Sequence, residues 1–212
     1  MEYATTQAIN FILIRRERMG KTYYIADLHF GHKNALSYDN RPFTTIEEND
    51  AALIKNWNNK VGIDDDIWIL GDISWHGAMK TIEIFNQLNG TKHLCIGNHD
   101  KKLLKNKDVQ ALFCEIVDYK EIEDSDKFVV LSHYPIPCFN RHYYGAIHLY
   151  GHVHNSFEWN MMQHIKLEMK ELYDKPCNMY NVGCMVPYMN FTPGTLEEII
   201  DWGDAYDHHL QV

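Results

Sequence analysis

Short, nearly continuous apolar runs alternate along this chain with longer stretches whose apolar positions recur every three or four residues. Residues 22–26 (TYYIA), 66–70 (DIWIL) and 92–96 (KHLCI) have the length and the β-branched or aromatic content of buried strands. Between them, 46–57 predicts an amphipathic helix opened by Thr44 or Thr45, and 78–88 predicts a second. Shorter strands follow at 113–118, 119–123 and 127–131, the last two joined by a turn at Asp124-Ser125-Asp126. Residues 146–150 predict a further strand. Apolar residues at 157, 161, 165, 169 and 172 mark one face of a helix over 157–173. A strand at 179–182 and a helix at 196–206, capped by Thr195, complete the series. Strands interleaved with helices predict an α/β domain.

The first twenty residues break this pattern. An apolar run at 8–14 (AINFILI) precedes Arg15-Arg16-Glu17-Arg18; residues 1–20 read as an N-terminal extension to a domain at 21–212, either an added edge strand or the product of an upstream start codon with the working domain beginning near Met19. No internal repeat or low-complexity linker divides the remainder. With 45% apolar residues in a chain of 212, one sizeable core is expected.

The formal net charge of −9 narrows the partners. Such a surface repels an extended polyanion, so duplex nucleic acid is not an expected partner. Bound dications would offset the charge locally, and a small phosphorylated substrate stays compatible. The five cysteines, Cys95, Cys114, Cys138, Cys177 and Cys184, are widely spaced and include no Cys-x-x-Cys pair. Buried free thiols are therefore expected, not disulfides or a thiolate zinc site. No apolar stretch reaches the roughly 18 residues of a membrane span. The start lacks a basic segment followed by an apolar one, so no secretory signal is read. A soluble cytoplasmic protein without a membrane partner is the expectation, and its oligomeric state is not legible here.

Five motifs rich in metal-ligand side chains follow the predicted strands: Asp27-Leu-His29, Gly71-Asp72, Gly97-Asn98-His99-Asp100, Ser132-His133 and Gly151-His152-Val-His154. Ligands converging from the carboxyl ends of several strands are how α/β folds build active sites. Residues two apart on an extended chain face the same way, so Asp27 with His29 is expected to grip a single ion, and His152 with His154 to share one face of an extended segment. A carboxylate such as Asp72 can bridge two ions. Asn98 is a rare neutral ligand, and His99 beside it is suited to general acid work near neutral pH. Judged singly, each motif is also a turn, a helix cap or a satisfied core histidine; the ordered set is what points to chemistry.

In this order the motifs resemble those of the calcineurin-like metallophosphoesterase superfamily. The resemblance spans roughly residues 22–154. The tail, Tyr180-Asn181-Val182-Gly183 with Pro193 and Leu196, resembles the closing strand and helix of small bacterial and phage members. It implies a four-layer α/β/β/α sandwich, two mixed β-sheets flanked by helices, with a two-metal site at the strand ends. It further implies that Asp27, His29 and His154 hold one ion and that Asn98, His133 and His152 hold the other. Asp72 would bridge the two, and His99 would be the proton donor. The ligand types suit Mn, Fe, Zn, Co or Ni, with Mn favoured.

The chemistry expected of such a site is hydrolysis of a small phosphodiester or phosphomonoester. Paired dications acidify a bridging water and neutralise phosphoryl charge, the hydroxide attacks in line, and His99 protonates the leaving oxygen. For substrate contacts the expected residues are Arg141, in the loop 135–145 (PIPCFNRHYYG) with Tyr143 and Tyr144, and His32. The pair Trp75-His76 lies similarly close to Asp72. The run Gly71-Asp72-Ile-Ser-Trp-His-Gly77 lacks the second Asp and the Arg of protein serine/threonine phosphatases of this superfamily, which argues against protein dephosphorylation. Two other readings stay open at this level, a non-catalytic binding scaffold of the same fold and a small nuclease.

Overall fold

The computed structural model describes residues 20–210, so the apolar run at 8–14 lies outside the described residues. Four parallel strands, β1 (Thr22–Ile25), β2 (Asp66–Ile69), β3 (Thr91–Cys95) and β4 (Glu115–Val117), lie side by side in one sheet. The second sheet starts with the antiparallel hairpin β5 (Tyr119–Asp124) and β6 (Lys127–Ser132). It continues in parallel through β7 (Ile147–Tyr150) and β8 (Asn178–Asn181). A two-residue strand, β9 (Gly194–Thr195), closes the first sheet antiparallel to β1, giving the order β4-β3-β2-β1-β9. Two mixed sheets flanked by helices is the architecture that the resemblance implies.

The helices connect these strands: α1 (Ala35–Tyr38), α2 (Ile46–Lys60), α3 (Ala78–Phe85), α4 (Lys107–Gln110), α5 (Phe157–Tyr173) and α6 (Leu196–Leu210). α2 begins at a capping box. Thr45 Oγ1 accepts the Glu48 N–H, and the Glu48 carboxylate accepts the Thr44 N–H. Leu53 and Trp57 then bury its inner face. The β5–β6 turn places Ser125 and Asp126 at φ 50° and 60°, the twist-matched two-residue hairpin.

At their carboxyl ends the two sheets are stitched together. Ala26, just past β1, donates its N–H to Val182 O and accepts from Cys184 N–H, so β1 of one sheet meets the exit of β8 of the other. Every ligand-bearing motif leaves its strand at this seam.

Two expectations are corrected. The stripe at 157, 161, 165, 169 and 172 is not the packed face of α5: Phe157, Met161 and Leu172 are exposed, and only Met169 among them packs against the core. The helix instead buries Trp159, stacked on Tyr206 with ring centroids 5.2 Å apart, and pairs Lys166 with Asp207 of α6. One large indole and an ion pair outweigh several small apolar contacts, and periodicity alone does not weigh them. The cysteines are all free, but Cys114 and Cys138 are exposed rather than buried. No helix among the described residues is long and apolar enough to cross a membrane.

Candidate metal centre

Asp27, His29, Asp72, His152 and His154 all sit in the left-handed region, at φ 55°, 50°, 56°, 69° and 50°. L-residues other than glycine rarely adopt it, and each instance costs on the order of 1–3 kcal/mol unless the surroundings enforce it. The expectation that Asp27 with His29, and His152 with His154, share a face through extended alternation is therefore corrected. Each pair lies beyond its strand, in a loop whose backbone turns left-handed at both residues. The strain is enforced by tight packing of the motif loops. A Cβ on Gly71, itself at φ 89°, would lie 2.4 Å from His133 Nδ1, and one on Gly97 would lie 2.2 Å from Asp72 Oδ1. Only glycine lets these loops close on each other.

One half of the cluster is deep. Asp27 is fully buried and His29 nearly so, and His29 Nε2 faces His154 Nε2 at 3.2 Å. Asp27 Oδ1 lies 3.8 Å from His154 Nε2, while its two oxygens accept the His152 backbone N–H at 3.2 and 3.0 Å. His154 donates its Nδ1–H to Asp39 Oδ1 at 2.7 Å, which leaves the Nε2 lone pair aimed into the cluster. Asp39 in turn accepts from Arg41 Nε at 2.9 Å, and the buried Arg41 guanidinium also donates to the carbonyls of Asp27 and Leu28.

The other half is shallower at Asn98 and His152, while its third member, His133, is buried. His133 donates Nδ1–H to Leu70 O at 2.8 Å, so its Nε2 lone pair points at Asn98 Oδ1, also at 2.8 Å. His152 Nδ1 lies 3.0 Å from the same Asn98 oxygen and 3.2 Å from His133 Nε2. Asn98 is exposed and His152 half-buried. Asp72 joins the halves: its Oδ2 lies 3.6 Å from His29 Nε2 and 3.7 Å from His133 Nε2.

These contacts test whether cations fit. Acceptor atoms facing one another at about 3 Å repel unless an electron-pair acceptor sits between them. Two nitrogens each ~2.1 Å from one tetrahedral ion lie roughly 3.4 Å apart, close to the separations here. Asp27, His29 and His154 form one group with ligand atoms all within 4.8 Å of one another, and Asp27, Asp72 and His133 form another. The donor set fits divalent ions.

Electrostatics agree with that fit. Burial pushes the Asp27 carboxyl up to about 7, with the Asp72 charge adding and His154 opposing. Burial also raises Asp72, and lowers His29, His133 and His152. His154 goes the other way. Burial alone would lower it, but its hydrogen bond to Asp39 and the charges of Asp27 and Asp39 raise it. Crowded carboxyls raised by burial, beside imidazoles that burial lowers, are what a cation would relieve.

The fourth residue of Gly97-Asn98-His99-Asp100 is no ligand. Asp100 is fully buried and accepts the N–H groups of Asp72, Ile73 and Gly97 at 2.9, 2.9 and 2.8 Å, tying two motif loops together. His99 donates its backbone N–H to Asp72 Oδ1, and its ring stands at the mouth, Nε2 4.0 Å from Asp72 Oδ2 with the side chain 45% exposed. His32 lies beside the cluster, its ring 5.4 Å from that of His29 and stacked on Trp75. Arg141 is not brought to the cluster. Its guanidinium sits 4.4 Å over the ring of Phe128, five residues before His133 and so near the far end of β6. Sequence reasoning missed Asp39 and Arg41, whose partners are more than a hundred and about a dozen residues away, and it gave Asp100 no task.

No protein-family model matches the chain. It is 38% identical over 138 residues to the uncharacterized protein MJ1445 of Methanocaldococcus jannaschii, covering 64% of this chain and 70% of that protein. It is 39% identical over 97 residues to the Gene 66 protein of Mycobacterium phage L5, covering 44% of this chain and 46% of that one. Among solved structures it resembles a protein of unknown function, AQ665 from Aquifex aeolicus, with a TM-score of 0.62 and 25% identity, covering 86% of this chain and 98% of that one.

Proposed function

Because the chain belongs to one family with MJ1445, whose name states no activity, we propose a function from the site itself: a metal-dependent phosphoester hydrolase working with two divalent ions. The observation that supports this most directly is the convergence of Asp27, His29, Asp72, Asn98, His133, His152 and His154 into two lone-pair clusters sharing the Asp72 carboxylate. Asp27, His29 and His154 would hold one ion, Asn98, His133 and His152 the other, and Asp72 both. Such ions, Mn favoured, supply charge neutralisation at the phosphoryl oxygens and an acidified water when bound.

The chain's own residues do the rest. Asp39 keeps the His154 tautomer that presents Nε2, and Leu70 O does the same for His133. His99 makes neither contact of a ligand, yet its ring reaches the mouth from the Asp72 side, where it can protonate a departing oxygen. No serine or cysteine is among the seven proposed ligands, and the Cys184 thiol donates to the Asp27 carbonyl, so the reading calls on no side-chain nucleophile. A small phosphodiester or phosphomonoester is the proposed substrate, in the cytoplasm and away from membranes.

The test is hydrolysis by metal-reconstituted protein of bis(p-nitrophenyl) phosphate, p-nitrophenyl phosphate, cyclic nucleotides and short single strands. Turnover of at least one, dependent on added Mn, is expected. Protein that binds two ions per chain yet turns over none would favour a binding scaffold. His99→Ala should lower turnover by roughly 10²–10⁴-fold with metal content unchanged; equal loss of metal would make His99 a ligand.

A further inference from the structure

Two large rings stand exposed at the mouth of the cluster, one against each half. Trp75 is 47% exposed, stacked on His32 with centroids 4.0 Å apart and planes at 11°, and tilted against His99 at 4.4 Å. Tyr134 is 49% exposed and meets His152 edge-on at 4.4 Å and His133 at 5.1 Å. Both rings are held by histidines of the site, so a planar ligand group meeting them would immobilise little that is not already fixed.

A cationic run follows the proton donor along the chain. Lys101, Lys102, Lys105 and Lys107 follow His99-Asp100 and are all exposed, in a chain whose net charge is −9. The lysine ion pairs among the described residues use Lys60, Lys80, Lys120 and Lys166 and leave these four out. Lys101 and Lys102, two and three residues past His99 and in no ion pair among the described residues, are the nearest of these in sequence to the proton-donor side of the site.

A phosphodiester carries one substituent on each side of phosphorus. Anchored rings on both halves suit a planar group on each side, and the lysines suit further phosphates beyond the leaving oxygen. Planar bases in succession along a polyanion describe a nucleic acid strand. Its bases must be unpaired, because duplex bases are stacked on one another and closed to a protein ring. We propose that this site, on the hydrolase reading above, takes a phosphodiester within a single-stranded oligonucleotide. One base lies against Trp75, one against Tyr134, and the next phosphates lie toward Lys101 and Lys102.

The experiment is fluorescence anisotropy with the full chain loaded with Mn²⁺ and a labelled hexathymidylate carrying phosphorothioate linkages to resist cleavage. Controls are an abasic hexamer with the same linkages and the hybridised duplex. The single strand should bind at least roughly tenfold more tightly than either control, and Trp75→Ala should lose roughly five- to a hundredfold. Trp75→Phe should retain most of the affinity, which separates stacking from misfolding. Lys101→Ala with Lys102→Ala should flatten the salt dependence. Equal affinity for the abasic hexamer, or no loss in Trp75→Ala, overturns the proposal. Bis(p-nitrophenyl) phosphate turnover on the same preparations separates the two readings. Turnover without base-dependent binding sinks the strand alone, whereas base-dependent binding without turnover of any phosphoester sinks the hydrolase and leaves the strand-binding surface.

Discussion

The half of the cluster built on Asp27, His29 and His154 and the half built on Asn98, His133 and His152 differ in charge, depth and bracing. The first has a buried carboxylate of its own and a second layer, Asp39 and Arg41, locked behind His154 and the Asp27–Leu28 backbone. The second has only neutral ligands apart from the shared Asp72, and one of them, Asn98, is exposed. Anionic, preorganised ligands in a low-dielectric setting hold a dication more strongly than neutral ones at the surface. The difference teaches a division of labour. On the proposed two-ion reading, the deep site would keep a resident ion and the shallow one would hold an ion that exchanges and meets the substrate.

Removing the shared carboxylate erases the comparison and should have the largest effect. Asp72→Ala should empty both sites and lower turnover by roughly 10³-fold or more, since the ions supply several kcal/mol of transition-state stabilisation. Metal content by mass spectrometry and steady-state kinetics check this; an unchanged stoichiometry of two would remove Asp72 from the ligand set. Breaking one half at a time comes next. Asp27→Asn should leave about one ion per chain and Asn98→Ala likewise. Under stepwise chelation, however, wild-type protein should lose the ion removed by Asn98→Ala first. Simultaneous loss of both ions would contradict the asymmetry. A subtler change acts from behind the ligands. Asp39→Asn should cost the deep site roughly 10–100-fold in affinity while leaving the shallow site alone, measured by competition with a fluorescent chelator. A matching loss at the shallow site would mean that Asp39 supports the whole loop rather than the His154 tautomer.

Much of this site was legible in the chain because metal chemistry demands particular side chains at particular places. Strands β1, β2, β3, β6 and β7 end within a residue or two of their expected limits, and the motif following each one enters the seam. α5 runs over 157–173 as its polar-apolar pattern predicts, because Ser156 caps its start and Asp174, at φ 49°, ends it. What local pattern does not carry is anything set by distant pairing. The His154–Asp39 bond links residues 115 apart, and nothing near Asp39 marks it as a partner. The left-handed backbone of five ligands follows from loops pressed together across two sheets, so alternation along an extended strand was the wrong local model. Arg141 looked suited to a phosphate because it follows His133 in sequence, yet the chain doubles back along β6 and leaves it over Phe128. Sequence proximity to a ligand is not proximity to the site.

The smallest effect is also the one that most directly separates the halves. At the deep site the Asp27 carboxyl is raised to about 7 by burial, so near neutral pH it holds a proton that an incoming ion must expel, and His154 is raised by Asp39 and Asp27. At the shallow site His133 and His152 are lowered by burial and are already neutral near pH 7, and Asn98 does not titrate. Asp72 is raised and serves both sites, but its one proton can leave only once, with the first ion, and so adds to that step. The sign follows from competition: affinity for the first ion falls as pH drops below 7, by about tenfold per pH unit for each proton displaced. It levels off once both groups have lost their protons. The second ion should show a shallower dependence. Calorimetry of Mn²⁺ binding at pH 6 and pH 8, in two buffers of different ionisation enthalpy, counts the protons released in each step. More protons released at pH 6 with the first ion than with the second is the expected result. Equal release in both steps would mean that the two sites share their charge more evenly than the burial of Asp27 implies.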